Sequence, residues 1–488
     1  MELSKIEPFL EGKTILITGA TGFLAKLVVE KILRVQPNVK RLFLLLRASD
    51  TKSARKRFND EIMQAELFNV LREKIGANNL NSLVEEKVFP IAGDISIEDF
   101  GIENSEMKDD MLKEIDIIIH SAATTRFDER YDIAMNINVL GASNVLKFAK
   151  RCANVKILVH VSTAYVCGER EGDIVEKSFN FGDSNIDIDV ERKVIEDKLK
   201  ELEAQSLTSK EVTMAMRDLG HQRATLHGWP NTYSFTKAMG EMMLGHLKEN
   251  LQLVIVRPTI ITSTYKEPFP GWIEGVKTLD TFILVYGKGI SNVFLADPNT
   301  KPDLIPGDMV VNSILAAIVA HGNNKSYQNH FIYHISSSKI NPLKSGDAKL
   351  FMFHYFTKNP WIGKNGNKIK VKEITFLSSM DSFQAHISRY YWPLLKVLQL
   401  ANVLTWYYLI DGTYTNLKRK IDMDIRLSKL YKPYLIFHGR FDDSNTERLR
   451  MTMKECKMDD VLKFDPSCIN WEDYFMNIHI PGVVKRLA

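Results

Sequence analysis

Short apolar runs alternate with amphipathic stretches over the first two thirds of the chain. The runs have the length of buried strands, and most are followed by residues that suit a helix. We predict six strands, at residues 14–17, 41–47, 88–92, 115–119, 156–161 and 253–257. Strands that alternate with helices form a parallel sheet with helices on both faces. The sequence therefore predicts an α/β, doubly wound fold of the Rossmann type, with ligands beyond the carboxyl ends of its strands.

The turn after the first predicted strand carries two glycines at the spacing typical of dinucleotide-binding proteins. Gly19 permits a tight turn, and Gly22 lets the backbone approach a pyrophosphate at the positive end of the next helix. Ala25, the third small position, still permits close packing of helix on strand. An ordinary turn that needs two glycines is the alternative interpretation. The residues predicted here to bind a cofactor are Thr18, Gly19, Thr21, Gly22, Phe23 and Leu24.

The end of the second predicted strand indicates which dinucleotide binds. An NAD site usually carries an acidic residue there, which holds the ribose hydroxyl groups. This chain has Arg47 at that position, and an arginine suits the 2′-phosphate of NADPH. Asp50 lies close enough to be an alternative ribose ligand. Lys56 and Arg57 fit a solvated basic face.

Later strand ends supply further candidate contacts to the cofactor. Asp94 follows the third strand, where its carboxylate could bond the adenine amino group or cap the next segment. Small residues, Ala122 among them, follow the fourth strand and leave room for a ligand. Pro258 and Thr259 follow the sixth strand and are predicted to lie beside the cofactor.

Tyr233 and Lys237 lie one turn apart on a helix predicted to begin near Thr232. An ammonium group lowers the pKa of a nearby phenol, so Tyr233 could donate a proton to a developing alkoxide. Lys237 could also bond the ribose of the nicotinamide half. Thr163 or Ser162, at the end of the fifth strand, would donate a second hydrogen bond to that oxygen. A surface helix is the alternative, but the order of the motifs along the chain favours catalysis.

Composition narrows the classes of function. The 488 residues suffice for two or three domains. With 64 basic and 60 acidic residues, the net charge of +4 does not indicate a nucleic-acid partner. The four cysteines lie far apart without metal-ligand spacing, which predicts a reducing compartment and no metal site. The first residues lack an apolar signal region, so we expect a protein on the cytosolic side.

An insertion, residues 169–230, separates the fifth strand from the Tyr-Lys pair. Residues 190–207 have a helical pattern, and Thr208 with Glu211 could cap a second helix. We interpret the insertion as a lid over the site.

The pattern changes near residue 345, where the alternation of strands and helices stops and aromatic residues become frequent. We therefore predict a reductase domain at residues 1–345 and a mostly helical domain at residues 346–488. Within the second, residues 390–410 are strongly apolar but interrupted by polar residues and a proline. A buried helix is the first interpretation of this stretch, and an interfacial membrane-facing helix is the second.

Taken together, these motifs resemble those of the extended short-chain dehydrogenase/reductases, which share the glycine turn, the strand-end Ser/Thr and the Tyr-Lys pair. More narrowly, the chain is similar to the plant alcohol-forming fatty acyl-CoA reductases over nearly its whole length. Its C-terminal region resembles their male-sterility domain. The runs that carry the resemblance are TGATGFLAK, FDERYD, LVHVSTAYVCGE, GWPNTYSFTKAMGE, RPTIITSTYKEPFPGW and residues 431–448.

The resemblance implies that a long-chain fatty acyl-CoA is reduced by NADPH to a primary alcohol, in two hydride steps through an aldehyde. Such alcohols supply wax, cutin or suberin-type lipids. No acyl-enzyme is required, so Cys167 is interpreted as a structural thiol. Peripheral attachment to the cytosolic face of the endoplasmic reticulum is expected, with the cytosol as the alternative.

Two departures and two other classes of function stay open. His120 stands where the family pattern leads us to expect asparagine, and Arg126 is unusual beside Phe127; both could alter the acyl pocket. A single-step reductase or dehydrogenase of the same fold is one alternative. A non-catalytic NADPH-binding regulator is the other, which the intact Tyr233 and Lys237 disfavour.

Overall fold

A computed structural model describes residues 10–178, 186–322, 331–363, 365–404 and 411–487. The strands are β1 (Thr14–Thr18), β2 (Arg41–Leu46), β3 (Val88–Ala92), β4 (Ile117–His120), β5 (Ile157–Val161), β6 (Gly172–Ile174), β7 (Leu253–Pro258), β8 (Ile260–Thr262), β9 (Val293–Leu295), β10 (Leu304–Pro306), β11 (Phe331–Ile335), β12 (Thr375–Leu377) and β13 (Gly439–Phe441).

The helices lie between and after these strands. They are α1 (Phe23–Val35), α2 (Thr51–Arg57), α3 (Asn69–Ile75), α4 (Ala77–Lys87), α5 (Ser105–Glu114), α6 (Tyr131–Ala134), α7 (Gly141–Arg151), α8 (Ile188–Ala204), α9 (Ser209–Leu226), α10 (Thr232–Leu247), α11 (Thr278–Gly287), α12 (Gly307–His321), α13 (Ser345–Lys358), α14 (Met380–Tyr390), α15 (Trp392–Leu404), α16 (Asp411–Leu435), α17 (Ser444–Glu455), α18 (Trp471–Asp473) and α19 (Ile480–Leu487). A π-helical segment, Met135–Leu140, joins α6 to α7.

Seven strands form one parallel sheet in the order β11-β7-β5-β4-β1-β2-β3. Alternate side chains of each strand enter different cores, because successive residues point to opposite faces. Ile15 and Ile17 of β1 pack into one core, whereas Leu16 packs into the other. The doubly wound α/β fold is therefore confirmed.

All six predicted strands form, each within two residues of its predicted ends. The sequence analysis missed β11, the edge strand beside β7. Its five residues are an apolar run with no glycine turn or helix pattern directly after it, so it lacks the βα signature that identified the other strands.

The C-terminal part of the chain, mostly helical as predicted, shares its core with the sheet. Phe356, Leu449, Tyr474 and Val483 belong to the same buried cluster as Ile15. Two short parallel pairings, β9 with β12 and β6 with β13, also join the two parts. The division at residue 345 stays a prediction.

The insertion forms the two helices α8 and α9. Thr208 and Glu211 make the predicted capping box at the start of α9. Glu191 of α8 pairs with Arg223 of α9 and accepts a 2.7 Å hydrogen bond from the Tyr131 hydroxyl of α6. The insertion is thereby anchored to the helices beside the sheet.

Helix α15, in the apolar stretch at residues 390–410, turns most of its large apolar side chains outward. Its exposed apolar residues are Trp392, Leu394, Val397, Leu400, Val403 and Leu404. The prediction of a buried helix is therefore wrong for the described part; residues 405–410 lie outside the described residues. Within the described ranges, no helix is both long and apolar enough to cross a bilayer.

Candidate active site

The carboxyl ends of β1 to β5 open onto a cavity of about 740 Å³, a size usual for small-molecule sites. Eleven of the predicted site residues line it: Gly19, Thr21, Gly22, Phe23, Leu24, Arg47, Asp94, Ala122, Ser162, Tyr233 and Lys237. Four do not line it, namely Thr18, Thr163, Pro258 and Thr259.

The glycine turn leaves room for a dinucleotide because neither glycine carries a side chain. Gly19 has a φ of +71°, and a Cβ there would lie 2.7 Å from the Ala122 backbone. Gly22 occupies the N-cap position of α1, so no side chain competes for the free N–H groups of its first turn. Such free N–H groups suit the pyrophosphate of a nicotinamide dinucleotide.

The Thr18 side chain is bonded within the protein and does not line the cavity, and its role as a cofactor contact stays a prediction. Its hydroxyl is 2.7 Å from His120 Nδ1 and accepts a hydrogen bond from the Ala122 amide at 3.2 Å. Burial lowers the pKa of His120 to about 3, so its ring is neutral. His120 therefore joins β4 to the glycine turn and does not line the cavity.

Pro258 and Thr259 also do not line the cavity. Pro258 ends β7, and Thr259 lies between β7 and β8. The Thr259 hydroxyl donates to Asp303 at 3.0 Å, and Pro258 is a buried residue of β7 paired with β11. Their role as cofactor contacts stays a prediction. Asp94 does line the cavity, but one carboxylate oxygen accepts two 2.8 Å bonds from Ser96.

The basic segment that follows β2 contains Arg57, which the sequence analysis assigned to the solvated face. Arg57 lines the cavity, pairs with Glu61 and donates to the Arg47 carbonyl at 2.6 Å. The sequence shows the Arg57–Glu61 spacing but not that α2 returns toward β2. Asp50 instead caps α2 through a 2.7 Å bond from the Ser53 amide. Its carboxylate is thus engaged in the helix cap.

Tyr233 lies in the first turn of α10, close to Thr163. Burial raises the pKa of Tyr233 to about 12, against a smaller lowering by Thr163. The predicted lowering of this pKa by Lys237 is therefore wrong for the protein without ligands. Tyr233 is a protonated donor at neutral pH.

Lys237 is fixed by the end of β5. Its ammonium donates to the Val161 carbonyl at 2.9 Å and lies 3.2 Å from His160 Nε2. Burial lowers the pKa of Lys237 to about 8, although Glu241 acts in the opposite direction. Burial also holds the pKa of His160 well below its usual value, so the neutral ring can accept from Lys237. The sequence analysis missed His160, which lies two residues before Ser162.

The Ser162 hydroxyl is buried and has no hydrogen-bond partner within the described ranges. A buried hydroxyl without a partner is costly, so a ligand oxygen that bonds it would be stabilised. Ser162 and Tyr233 line the same cavity. The orphaned Ser162 hydroxyl, the glycine turn and Arg47 together fit a nicotinamide dinucleotide with a carbonyl substrate.

A stack of aromatic rings from distant segments covers Tyr233. Phe127 stacks on Tyr233 at 5.7 Å and on Tyr434 of α16 at 4.8 Å. Asn231, the N-cap of α10, donates to the Tyr434 hydroxyl at 2.9 Å and accepts from the Ser234 amide. The C-terminal part therefore forms an aromatic wall behind Tyr233, outside the lining of the large cavity, and no local sequence pattern indicates this contact.

The insertion and Cys167 contribute no reactive group. No described residue of 169–230 lines the cavity, and α8 and α9 pack behind α10. The interpretation of the insertion as a lid stays a prediction. Burial raises the pKa of Cys167 to about 12, which leaves a thiol rather than a nucleophilic thiolate. Among the described residues no cluster of metal-ligating side chains occurs.

Comparisons with known proteins agree with this geometry. Residues 17–314 match a family described as male sterility protein, and residues 390–488 match a second family of that description. The chain is 52% identical over 487 residues to fatty acyl-CoA reductase 1 of Arabidopsis thaliana, covering 98% of each. It is 48% identical over 494 residues to the alcohol-forming fatty acyl-CoA reductase of Simmondsia chinensis, covering 100% of this chain and 99% of that protein.

Two solved structures share the fold at low identity. The terminal R domain from the myxalamid PKS-NRPS biosynthetic pathway has a TM-score of 0.59 at 17% identity, with 97% of this chain and 91% of that one covered. The reductase domain of a nonribosomal peptide synthetase from Mycobacterium tuberculosis has a TM-score of 0.58 at 17% identity, with 99% and 93% covered. Both confirm a reductase-type fold.

Substitution of Gly19 tests the dinucleotide site. Gly19→Ala adds a Cβ 2.7 Å from the Ala122 backbone at a φ of +71°, so the turn must shift and dinucleotide affinity should fall at least about tenfold. Gly12→Ala is the matched control, because Gly12 has a φ of +65° but open space around it. Fluorescence titration with a nicotinamide dinucleotide measures both; equal affinities for the two variants would contradict the assignment.

Proposed function

The chain belongs to the fatty acyl-CoA reductase family of male sterility proteins, and we propose that it reduces a long-chain fatty acyl-CoA to the primary alcohol with NADPH. The observation that carries the reaction is the position of Tyr233. Its hydroxyl lies close to Thr163, and Tyr233 lines the same cavity as the glycine turn. A bound nicotinamide dinucleotide supplies the hydride at such a site.

Tyr233 donates the proton that accompanies each hydride. In the first step, the thioester carbonyl gains a hydride at carbon and a proton at oxygen, and the hemithioacetal expels coenzyme A as a thiol to leave an aldehyde. In the second step, the aldehyde gains a hydride and a proton and becomes the alcohol. An alkoxide is more basic than a phenolate, so a tyrosine with a pKa of about 12 transfers its proton downhill.

The neighbouring hydroxyls and Lys237 orient the reacting oxygen. Ser162 offers a second donor to it, while Thr163 lies close to the Tyr233 hydroxyl. Lys237, fixed on the Val161 carbonyl, is positioned to bond the ribose of the nicotinamide half. These donors are pre-oriented by the protein, so little reorganisation is needed as charge develops on the oxygen.

The acyl chain is best placed along the aromatic wall from α16. Phe127 and Tyr434 present apolar rings beside Tyr233. A second, smaller cavity of about 70 Å³ lies behind Tyr434 and is lined mainly by apolar side chains, including Ile260, Phe282 and Phe294. Apolar surface of this kind favours a hydrocarbon chain over a polar substrate.

Stoichiometry tests the proposed reaction. The purified protein with a long-chain acyl-CoA should consume two NADPH per coenzyme A released, with alcohol as the main product. Because a single Tyr-Lys pair lines the cavity, a supplied long-chain aldehyde should be reduced at the same site. Absorbance measures the NADPH consumed, thiol titration measures the coenzyme A released, and chromatography identifies the products. Sustained release of aldehyde at one NADPH per coenzyme A would refute the alcohol-forming reaction and leave a single-step reductase.

Tyr233→Phe identifies the proton donor. The variant keeps the ring that stacks on Phe127 but removes the acid, so reduction of acyl-CoA and of aldehyde should both fall by at least about a hundredfold. NADPH binding should stay close to that of the unaltered protein. Lys237→Ala should damage both binding and reduction. Substantial activity in Tyr233→Phe would show that another group donates the proton.

We infer NADPH rather than NADH from Arg47, and this inference has its own test. Arg47 lies at the end of β2 and lines the cavity, while the Asp50 carboxylate is engaged in capping α2. NADPH should bind more tightly than NADH, and Arg47→Ala should reduce that preference by about tenfold. Arg55→Ala, an exposed arginine outside the cavity lining, is the control. Equal affinities for the two cofactors in the unaltered protein would overturn the inference.

We also propose peripheral attachment to the cytosolic face of the endoplasmic reticulum through α15. Its exposed apolar residues form a cluster, which is unusual on a protein surface that meets only water. Arg389, Lys396, Lys418 and Arg419 are exposed in and around this helix and suit anionic headgroups. On the opposite face of α15, Leu395 packs into a hydrophobic core that also contains Phe383 and Ile421.

Vesicle sedimentation tests this attachment. The protein should sediment with vesicles that contain phosphatidylserine and less with neutral phosphatidylcholine vesicles. Val397→Asp with Leu400→Asp should reduce sedimentation at least about fivefold, because both side chains are exposed in the fold. Val190→Asp with Met214→Asp, at exposed apolar positions of the insertion, is the control pair. Equal sedimentation of both pairs would contradict attachment through α15.

A further inference from the structure

Residues 274–277 form a strap along one side of the large cavity. The strap leads from Trp272 into α11, and all four residues line the cavity with the glycine turn and the first residues of α1. Gly275 and Val276 are exposed at its centre. The mechanism described above uses none of these four residues.

Two contacts join the ends of the strap to α1. At one end, Lys26 donates to both carboxylate oxygens of Glu274, at 2.7 and 2.8 Å, from a side chain that is 3% exposed. At the other end, the Lys277 ammonium lies 3.4 Å from the centre of the Phe23 ring. Trp272 stacks on Phe23 at 4.9 Å, and Lys277 therefore occupies the other face of that ring.

Lys277 lies near two carboxylates but forms an ion pair with neither of them. No carboxylate of the described chain makes an ion pair with it, although Glu274 and Asp280 lie near enough to favour its charged form. Burial lowers the pKa of Lys277 to about 8. An ammonium group withdrawn from water is costly unless an anion pairs with it.

The position of Phe23 indicates which anion could pair with the Lys277 ammonium. Phe23 is the first residue of α1, the helix whose N-terminus follows the glycine turn. In a fold of this kind the dinucleotide pyrophosphate binds at that N-terminus. We propose that Lys277 binds the pyrophosphate of the nicotinamide dinucleotide, opposite the N–H groups of α1, so that the strap and the glycine turn hold the cofactor from two sides.

The proposal rests on the dinucleotide and not on the acyl substrate or on the preference for NADPH. The pyrophosphate is common to NADH and NADPH, so Lys277 contributes equally to both, whereas Arg47 discriminates between them. If two hydride steps occur in one site, the strap must release the oxidised cofactor between them. Lys277 then contributes to the rate of cofactor exchange as well as to affinity.

Binding titrations without acyl-CoA test the assignment. Lys277→Met keeps the aliphatic stem and removes the charge, so the dissociation constants of NADPH and NADH should both rise about tenfold. Lys277→Gln should give the same loss, and Lys277→Arg should stay within about threefold of the unaltered protein. Thermal unfolding of each variant shows that the fold is retained. Dissociation constants come from nicotinamide fluorescence.

Lys288→Met is the matched control. Lys288 flanks the other end of α11 and lies 4.9 Å from the Trp361 ring, so it makes the same kind of contact outside the cavity. Its substitution should leave both affinities unchanged.

Three outcomes would overturn the proposal. The first is unchanged NADPH and NADH affinity in folded Lys277→Met. The second is a loss for NADPH alone, which would place the ammonium at the 2′-phosphate. The third is weaker binding of free coenzyme A with normal binding of both dinucleotides, which would assign Lys277 to the phosphates of the substrate. None of these depends on turnover, so failure here is distinguishable from failure of the proposed reaction.

Discussion

The hydrogen bond from Lys237 to the Val161 carbonyl joins the active-site helix to the sheet. It fixes α10 against the end of β5, and Tyr233, one turn earlier, is thereby placed against Thr163. Because β5 pairs with β4 and β4 with β1, the same sheet edge also carries the glycine turn. The distance between a bound dinucleotide and the proton donor is therefore set by strand pairing, with the Lys237 bond as its last link.

The segments outside the sheet act on the site through α10. Asn231 caps this helix and donates to Tyr434, so the C-terminal part is bonded directly to the first turn that carries Tyr233. From the other side, α8 and α9 pack against Phe235 and Met239 of α10. The two additions to the reductase domain thus have a common mechanical role, which is to immobilise one helix between the sheet and the aromatic wall.

Local patterns in the sequence were sufficient for six of the seven strands of the sheet, and they pointed to Tyr233, Lys237 and Ser162, which line one cavity. Strand periodicity and motif spacing are local properties. They were insufficient where the outcome depends on a distant partner. Thr18 belongs to the glycine turn in sequence, but its hydroxyl is taken by His120, 102 residues away. Tyr434 meets Asn231 across 203 residues, and no short pattern reports such a contact. Arg57 and Glu61 have the i,i+4 spacing of a helical ion pair. Only the path of α2 back toward β2 brings Arg57 to the cavity.

The surroundings of Lys237 also bear on how Tyr233 regains its proton. Tyr233 must be reprotonated between the two reductions, and the group that does so must gain and lose protons near neutral pH. Lys237, with a pKa of about 8, meets that condition, whereas His160 stays neutral because its pKa is held well below the usual range. The ring therefore accepts a hydrogen bond from Lys237 without competing for its proton. The same burial that keeps Tyr233 protonated as a donor thus also lowers the pKa of Lys237 to about 8.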